Sequence, residues 1–465
     1  MNQLPYQVLL TTFVFTVLTG CNNESSQDDT TSIAVQADAS TTSTDTSVNN
    51  ETTSGDSNSQ EETPPVEQAP TASSSSPWIT NPTEERAQFI MENDSSNGVI
   101  INVQSVQDET ISDVSFIKVS AQGIPQYDVT IDQSTYDALS SRPKANTDFV
   151  TGQPTVNLGD VVAFGQDIGY VSNANCEDNA GYGYWPPGPE CPTQMNKEGY
   201  FTQTPEPTDQ DCETGLGVIG YWVNGTSVYN WGDGQSYNNN NVWFNLAPVA
   251  EQYDVDICGG HAAQGDYHHH FYSSCLADLV ADDGSQHSPV YGFAADGYPI
   301  YGPWQAAGTL AQSSWVTRDY SAGSKTGCTD SERSCTLVDP YNIELGTQNA
   351  TAGPDLGSQV TTLSGNVLNA ENGYYHEDYY WSQALTEQGG AYLDQYNGHS
   401  DEQRGYHYHV TVSQQGGKLI PAYPYIIGDR FAGKLPDNAV TQCGGGLLPG
   451  GQPPGGPLPP PMFGG

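Results

Sequence analysis

The sequence is poor in basic residues, in long apolar segments and in the short motifs of common enzymes. Among 465 residues it has 12 Lys and Arg against 55 Asp and Glu, a formal net charge of -43. Because binding to nucleic-acid phosphates requires clustered Lys and Arg, this composition argues against a nucleic-acid partner. No apolar run reaches the length of a membrane-spanning helix. The chain also lacks Cys-x-x-Cys and Gly-x-Ser-x-Gly, which disfavours a dithiol redox site and a serine-hydrolase elbow.

Both termini differ in composition from the middle of the chain. Residues 8–18 form a short apolar run that is typical of a secretion signal, and the Leu-Thr-Gly-Cys that ends at Cys21 resembles a bacterial lipobox. We therefore expect a signal peptide over residues 1–20, a lipid on Cys21 and attachment to the bacterial cell envelope. Asn22 after the cysteine favours the outer membrane. The alternative is an ordinary secretory signal with an unmodified cysteine.

Two further segments have the composition of unfolded chain. Residues 21–78 are rich in Ser, Thr and acidic residues and have almost no large apolar side chains, so we expect a disordered tether. Residues 431–465 include a Gly/Pro-rich stretch and are expected to form a flexible tail. A single folded domain over residues 79–430 remains.

The middle of the chain has mostly β signals, and residues 423–427 are one of the predicted strands. Asn224-Gly225 and Asp296-Gly297 each separate two β-branched or aromatic runs, which predicts two tight hairpins. Helical signals are few: a capping pattern at residues 81–84 predicts a helix through Met91, and residues 134–140 predict another. No repeat of fixed period is visible. We expect a mainly β, sandwich- or barrel-like domain with long loops and a few short helices.

The cysteine count agrees with export. Eight cysteines follow Cys21, and an even number in an exported chain favours disulfides over thiolate metal sites. Short spacing makes three pairs the economical predictions: Cys176–Cys191, Cys258–Cys275 and Cys328–Cys335.

The chemical signal lies in two His-x-His segments. In a strand, alternate side chains share a face, so His407 and His409 of Tyr-His-Tyr-His point together, while Tyr406 and Tyr408 point the other way. The segment around Tyr267 repeats this logic, with His268 and His270 on one face and Tyr267 on the opposite one.

If these two segments are neighbours in space, four imidazoles converge: His268, His270, His407 and His409. Neutral imidazole suits a transition metal, and Cu or Zn is the predicted cofactor. The tyrosines would form a supporting layer that can hydrogen-bond. Two alternatives remain open, a buried His/Tyr network without metal and metal-free general-base catalysis.

Several motifs in order resemble the YHYH family over residues 111–430. They are Cys258-Gly259-Gly260-His261, Gly265-Asp266-Tyr267-His268-His269-His270, His287-Ser288-Pro289, Asp296-Gly297-Tyr298-Pro299-Ile300-Tyr301-Gly302, Tyr406-His407-Tyr408-His409 and Tyr423-Pro424-Tyr425. In the first His-x-His segment, His269 stands where a Tyr is usual. The resemblance implies that the matched His and Asp positions matter, and it implies no particular activity.

Two of the remaining candidates, His287 and Asp296, have two interpretations each. His261 and His287 are candidate additional ligands, and His287 could instead hydrogen-bond its turn. Asp296 is expected to form its hairpin turn, or to hold the tautomer of an imidazole. His376 and His399 are expected at the surface.

We thus predict a cell-surface lipoprotein that binds a transition metal through paired His-x-His strands, without an assigned activity. The metal could also be purely structural. The alternative function is a metal-free adhesion or glycan-binding module with a structural His/Tyr core, for which Trp222, Trp231 and Trp243 are the candidate platform. The small-molecule or glycan ligand is not predicted.

Overall fold

The computed structural model describes residues 76–92, 97–171 and 191–444. All of them belong to one compact unit, Ser73–Gly465. The predicted signal peptide, Cys21, most of the predicted tether and Cys176 lie outside the described residues. In the described part of the chain, no helix is both long and apolar enough to cross a membrane.

Strand outweighs helix, 34% against 10%, which confirms the predicted mainly β class. The strands of the first half, numbered in chain order, are β1 (Arg86–Met91), β2 (Gly98–Ile100), β3 (Val103–Ile111), β4 (Val114–Ala121), β5 (Asp128–Thr130), β6 (Val161–Ala163), β7 (Lys197–Thr202), β8 (Val218–Trp222), β9 (Ser227–Tyr229), β10 (Gly232–Ser236), β11 (Phe244–Leu246), β12 (His261–Ala263) and β13 (Asp266–His269).

The second half of the described chain continues in short strands. They are β14 (Val290–Ala294), β15 (Pro299–Tyr301), β16 (Trp304–Ala306), β17 (Thr309–Leu310), β18 (Trp315–Thr317), β19 (Cys335–Leu337), β20 (Thr347–Asn349), β21 (Gln359–Thr361), β22 (Val367–Asn369), β23 (Tyr379–Trp381), β24 (Gly398–Asp401), β25 (Gly405–His409), β26 (Val412–Gln415) and β27 (Lys418–Pro421).

The helices are short. The α-helices are α1 (Gln133–Ser140), α2 (Ala145–Asp148), α3 (Ala247–Ala250), α4 (Ser274–Leu279) and α5 (Gln383–Thr386), and the 3-10 helices are Tyr237–Asn239, Ile343–Leu345 and His376–Asp378. Helix α1 begins after Asp132, whose side chain accepts a hydrogen bond from the Thr135 amide.

An eight-stranded open sheet forms the centre of the domain, in the order β12-β13-β9-β8-β14-β15-β25-β24. Both predicted hairpins are part of it, because Asn224-Gly225 joins β8 to β9 and Asp296-Gly297 joins β14 to β15. Asn and Gly or Asp and Gly at these positions suit the tight turn.

The eight strands form two equivalent halves of four. Each half has an inner hairpin near the middle of the sheet, β8-β9 or β14-β15, and an outer hairpin at the edge, β12-β13 or β24-β25. The second strand of the inner hairpin pairs in parallel with the second strand of the outer one. The halves meet where β8 and β14 pair antiparallel, and the register is symmetric: Tyr221–Phe293 at the centre, Gly220–Ala294 and Trp222–Gly292 on either side. A pseudo-twofold axis therefore relates two tandem copies of one four-strand unit.

A second sheet, β3-β4-β7, packs against the middle of one face of this central sheet. Phe201 of β7 contacts Tyr221 of β8 and Phe293 of β14, at ring-centroid distances of 5.6 and 6.0 Å. Trp78 stacks on Phe293 at 5.2 Å and is buried, so the domain already includes residues assigned to the tether. The two packed open sheets correspond to the sandwich-like form of the prediction.

Three local expectations changed. The capping pattern at residues 81–84 does not open a helix; the Asn81 side chain instead bonds Glu85, and the chain continues as strand β1, paired with β2. Residues 423–427 match a strand by composition but form turns. Residues 431–444, predicted as tail, belong to the domain, because Phe431 is buried and Cys443 is bonded to Cys212.

The described disulfides agree with the predicted spacing rule in two cases. Cys258–Cys275 and Cys328–Cys335 are bonded. The third, Cys212–Cys443, joins positions far apart in the sequence and was not predicted. Cys191 is disulfide-bonded as well, and its predicted partner Cys176 lies outside the described residues. Disulfides of this number are typical of an exported protein.

Candidate functional site

Two groups of histidines lie on the same face of the central sheet. The cross-strand pairs His268–Ser227, Ser227–Tyr221, Tyr221–Phe293, Phe293–Pro299 and Tyr301–His409 connect side chains on that face. The β3-β4-β7 sheet covers the middle of this face, so one histidine group lies at each end of it.

The first cluster consists of His261, His268, His270 and Glu251. His261 of β12 lies directly across from His268 of β13, and His270 follows β13 on the same face. The two Nε2 atoms of His268 and His270 are 3.1 Å apart. The Glu251 Oε2 atom lies 3.5 Å from the Nε2 atoms of both His261 and His270.

The second cluster consists of His287, His399, His407 and His409. His399 of β24 lies across from His407 of β25, which reproduces the pairing of the first cluster. Their Nε2 atoms are 3.0 Å apart. His409 shares the face of His407, and His287 comes from the loop before β14. The candidate ligand atoms of these four residues lie within 4.8 Å of one another.

Backbone carbonyls fix the tautomer of most of these rings. In the first cluster the Nδ1 atoms contact the carbonyls of Asp254, Asp266 and Asn230 at 3.1, 2.9 and 2.5 Å. In the second cluster, those of His287, His407 and His409 contact the carbonyls of Ser288, Gly405 and Gly302 at 2.8, 2.9 and 2.6 Å. A carbonyl can only accept, so Nδ1 carries the proton and a neutral ring has its lone pair on Nε2.

Burial keeps these rings neutral. Desolvation lowers the pKa of His261 to about 4 and that of His270 to about 3, and it lowers the pKa of His268 well below its usual value. It lowers the pKa of His399 to about 4 and also lowers that of His409. At neutral pH the six rings whose Nδ1 donates to a carbonyl therefore have an unprotonated Nε2.

Several of the inward-facing atoms have no hydrogen-bond partner among the described residues. They are buried and comprise Oε2 of Glu251 and Nε2 of His287 and His409. Burial raises the pKa of Glu251 well above its usual value, and the negative charges of Asp233 and Asp254 raise it further. Buried acceptors without donors are costly, which marks both clusters as places where a cation would satisfy several groups at once.

The tyrosines form a layer on the opposite face. In the first half, the Tyr267 hydroxyl donates to Asp256 at 2.9 Å. In the second half, Tyr406 donates to Asp394 at the same distance. Each aspartate lies five residues before the histidine of its outer hairpin, His261 or His399. It also accepts a hydrogen bond from the amide of the glycine that directly precedes that histidine, Gly260 or Gly398.

Those two glycines fit closely under the tyrosines. A Cβ at Gly260 would lie 2.4 Å from the Tyr267 oxygen, and one at Gly398 would lie 2.5 Å from the Tyr406 oxygen. A side chain at either position would therefore displace the Tyr–Asp contact that orients the hairpin.

Asp296 does not touch an imidazole, so its predicted tautomer-holding role is wrong. Its carboxylate accepts from the Tyr298 amide within the turn at 3.1 Å, as its alternative role requires. It also accepts from the Tyr408 hydroxyl at 2.6 Å and from the Gly433 amide at 2.9 Å. Its counterpart Asn224 accepts from Thr226 and donates to the Tyr127 hydroxyl.

The expectation that four imidazoles meet at one point is wrong. His268 and His270 lie in one cluster, and His407 and His409 lie in the other. Strands β13 and β25 are separated by four intervening strands, a distance of roughly 24 Å at normal strand spacing. Each His-x-His segment is completed instead by residues of its own half.

Two members of the clusters escaped the sequence analysis. His399 was expected at the surface, but it faces His407. The sequence signal for it is the shared pattern Asp-x-x-x-Gly-His, at Asp256–His261 and at Asp394–His399. Glu251 follows helix α3 and has no motif that could have identified it. His376, also expected at the surface, is half-buried and paired with Asp429 at 3.0 Å.

The three tryptophans considered as a glycan platform are in the interior. Trp222, Trp231 and Trp243 are 1%, 4% and 0% exposed. They do not form an exposed aromatic surface, so the glycan-binding alternative loses the residues that suggested it.

The fold and site define a class of protein: a disulfide-bonded, mainly β domain with one histidine cluster in each of two equivalent halves. Residues 199–332 match the family model described as YHYH protein, which confirms the resemblance to the YHYH family over that segment. The matched segment includes the whole first cluster together with His287, and it ends before β24. No curated protein and no solved structure has significant similarity to the chain.

Proposed function

We propose that this domain binds two transition-metal ions, one in each histidine cluster. The observation that carries the proposal is the contact between His268 and His270. Carbonyls fix the Nδ1 protons of both rings, so two Nε2 lone pairs face each other across 3.1 Å. Neither ring can donate to the other, and a cation between them turns this repulsion into coordination.

The separation of these nitrogens suits a shared metal. Two nitrogens bonded at about 2.0–2.1 Å to one ion lie roughly 2.9–3.4 Å apart, depending on whether the angle is square or tetrahedral. The spacings of 3.1 Å in the first cluster and 3.0 Å in the second fall within that interval.

The donor sets favour Cu or Zn. The first cluster offers three imidazoles and the Glu251 carboxylate, and the second offers four imidazoles. Imidazole-rich sites bind Zn, Cu, Fe and Ni, and affinity generally rises toward Cu along the first-row series. The Tyr–Asp pairs behind each hairpin would hold the ligand geometry.

We further propose that the domain works at the bacterial cell surface. The support is the lipobox-like segment ending at Cys21, together with the disulfides, which persist in oxidising compartments. A lipid on Cys21 and residues 22–75 would attach the domain to the membrane, and the asparagine after Cys21 favours the outer membrane.

Metal content of the purified domain tests this function. After loading with Zn²⁺ or Cu²⁺ and removal of excess ion, we expect two metal ions per chain by elemental analysis. The variant His268→Ala should retain one, His407→Ala should retain one, and the double variant should retain none. Each substitution removes a central nitrogen from one cluster only.

His376→Ala is the matched control, since His376 is half-buried and lies outside both clusters. It should keep two ions. A stoichiometry that is unaffected by His268→Ala and His407→Ala in correctly folded protein would refute metal binding at the clusters. If the unsubstituted protein binds only one ion, and either single substitution abolishes its binding, the two clusters are not independent metal sites.

A further inference from the structure

The two clusters are equivalent by position but differ in how they are covered. All three histidines of the first cluster are buried, at 3%, 1% and 4% exposure, and the Glu251 side chain is 22% exposed with its Oε2 atom buried. In the second cluster His407 and His409 are buried, whereas His287 and His399 are partly exposed.

A network of polar residues closes the face beside the first cluster. Lys197, at the start of β7, forms an ion pair with Asp266 at 3.0 Å and also contacts the Ser227 hydroxyl. Ser227 donates to Asp266 at 2.7 Å, and all three side chains are buried. Ser227 lies directly across from His268, and Tyr229 stacks on the His268 ring at 3.7 Å.

The second half cannot form this network. Under the pseudo-twofold axis Ser227 corresponds to Pro299, and Asp266 corresponds to Gly405, the residue two positions before the first histidine of each His-x-His. Neither has a side chain that could bind a lysine. Pro299 and Gly405 instead border a cavity of about 480 Å³ between the central sheet and β7.

A positive charge stands next to the second cluster. Arg404 precedes Gly405, lies over the Tyr301 ring at 5.9 Å and pairs with Asp401 at 2.5 Å. The Tyr301 ring in turn lies 4.8 Å from His407 and 5.0 Å from His287. A guanidinium has five N–H donors, so Arg404 can hold Asp401 and still donate to an anion.

We propose that the two halves have diverged into a sealed metal site, the first cluster, and an open metal site, the second cluster, which accepts a small exogenous anion on its metal beside Arg404. This inference rests on the proposed metal binding, and it assigns the entry of a ligand or substrate to the second cluster. The partly exposed rings of His287 and His399 provide the approach, and the Arg404 side chain provides the charge that selects an anion.

The test uses two single-site proteins loaded with Cu²⁺. His268→Ala/His270→Ala keeps only the second cluster, and His407→Ala/His409→Ala keeps only the first. Azide is the probe anion, and its binding is followed by the charge-transfer absorption of the copper–azide complex. We expect saturable azide binding at the second cluster and none at the first. A chelator should also remove copper from the second cluster at least tenfold faster.

Arg404→Met in the protein with only the second cluster should weaken azide binding severalfold while one copper remains bound. Arg430→Met is the matched control. Arg430 forms a comparable surface ion pair with Asp211, at an N–O distance of 2.7 Å, and belongs to neither cluster. It should leave azide binding unchanged.

Equal azide binding and equal chelator rates at the two clusters, or azide binding at the first cluster alone, would overturn the division into sealed and open sites. Unchanged azide affinity in Arg404→Met would overturn the role of that arginine. If neither single-site protein retains copper, the proposed function itself fails, and elemental analysis before azide is added distinguishes that outcome.

Discussion

The double variant Cys212→Ser/Cys443→Ser is expected to lower the free energy of unfolding by about 2–5 kcal/mol, as loss of a long-range disulfide typically does. The bond closes a loop of 231 residues, so its loss adds much conformational freedom to the unfolded chain. Denaturant unfolding of the two proteins under oxidising conditions measures the difference.

The same variant should weaken metal binding at the second cluster more than at the first. Cys443 anchors residues 431–444, in which the Ala432 amide donates to Tyr408 at 2.8 Å and the Gly433 amide donates to Asp296 at 2.9 Å. Tyr408 lies between His407 and His409 on β25. Freeing this segment therefore loosens the support behind the second cluster, and metal titration of the single-site proteins should show the difference.

Cys328→Ser/Cys335→Ser is the control for this prediction. That disulfide spans only seven residues and contacts Arg318, away from both clusters. Its removal should cost less stability and leave both metal affinities unchanged. A larger loss from this short loop than from Cys212–Cys443 would contradict the loop-entropy argument.

Local chemistry was enough to predict the two central hairpins. Asn-Gly and Asp-Gly favour tight turns in almost any context, and the flanking runs are β-branched or aromatic, so turn and strand signals agreed. The capping pattern at residues 81–84 failed for a tertiary reason. Arg86–Met91 gains a strand partner in β2, and the helix signal of its first residues is too weak to compete.

Strand geometry predicts that the two histidines of each His-x-His share a face of the sheet, but it does not predict which other residues they contact there. Alternation places His407 and His409 together, whereas the order of eight strands decides which residues they meet. That order depends on pairing between segments far apart in the chain, which a single sequence does not specify. The two His-x-His segments occupy equivalent places in the two halves of the sheet, and they do not contact each other.

The duplication itself was hidden by unequal insertions. In the first half the chain passes from β9 to β12 through β10, β11 and α3; in the second it passes from β15 to β24 through eight strands, β16–β23. A search for a fixed period therefore fails, although the hairpin turns, the Asp-x-x-x-Gly-His pattern and the His-x-His segments recur in the same order.

Divergence between the halves explains why the clusters differ. Ser227 and Asp266 of the first half give a site for the buried Lys197, which seals it. At the corresponding positions the second half has Pro299 and Gly405. The contrast is local, since both halves have the outer hairpin, its Tyr–Asp contact and equivalent carbonyls on the two imidazoles of the His-x-His segment.

Asp296 provides the second large effect, because three donors converge on one buried carboxylate: the Tyr408 hydroxyl and the amides of Tyr298 and Gly433. Asp296→Ala would leave all three without their acceptor. At about 1–3 kcal/mol for each buried unsatisfied group, with partial relaxation, we expect a total loss of about 3–5 kcal/mol. Asp296→Asn keeps an acceptor oxygen, as Asn224 does in the first half, and should lose less.

The pH dependence separates the charge of Asp296 from its hydrogen bonds. Burial raises the pKa of this carboxyl from 3.8 to about 6 in the folded protein. Between those values the folded state binds more protons than the unfolded chain, so the stability from this group falls as the pH rises. The Asn variant does not titrate there, and its deficit relative to the wild type should shrink between pH 4 and about pH 6. A deficit that grows over this interval in denaturant unfolding would show that the ionised carboxylate is the stabilising form.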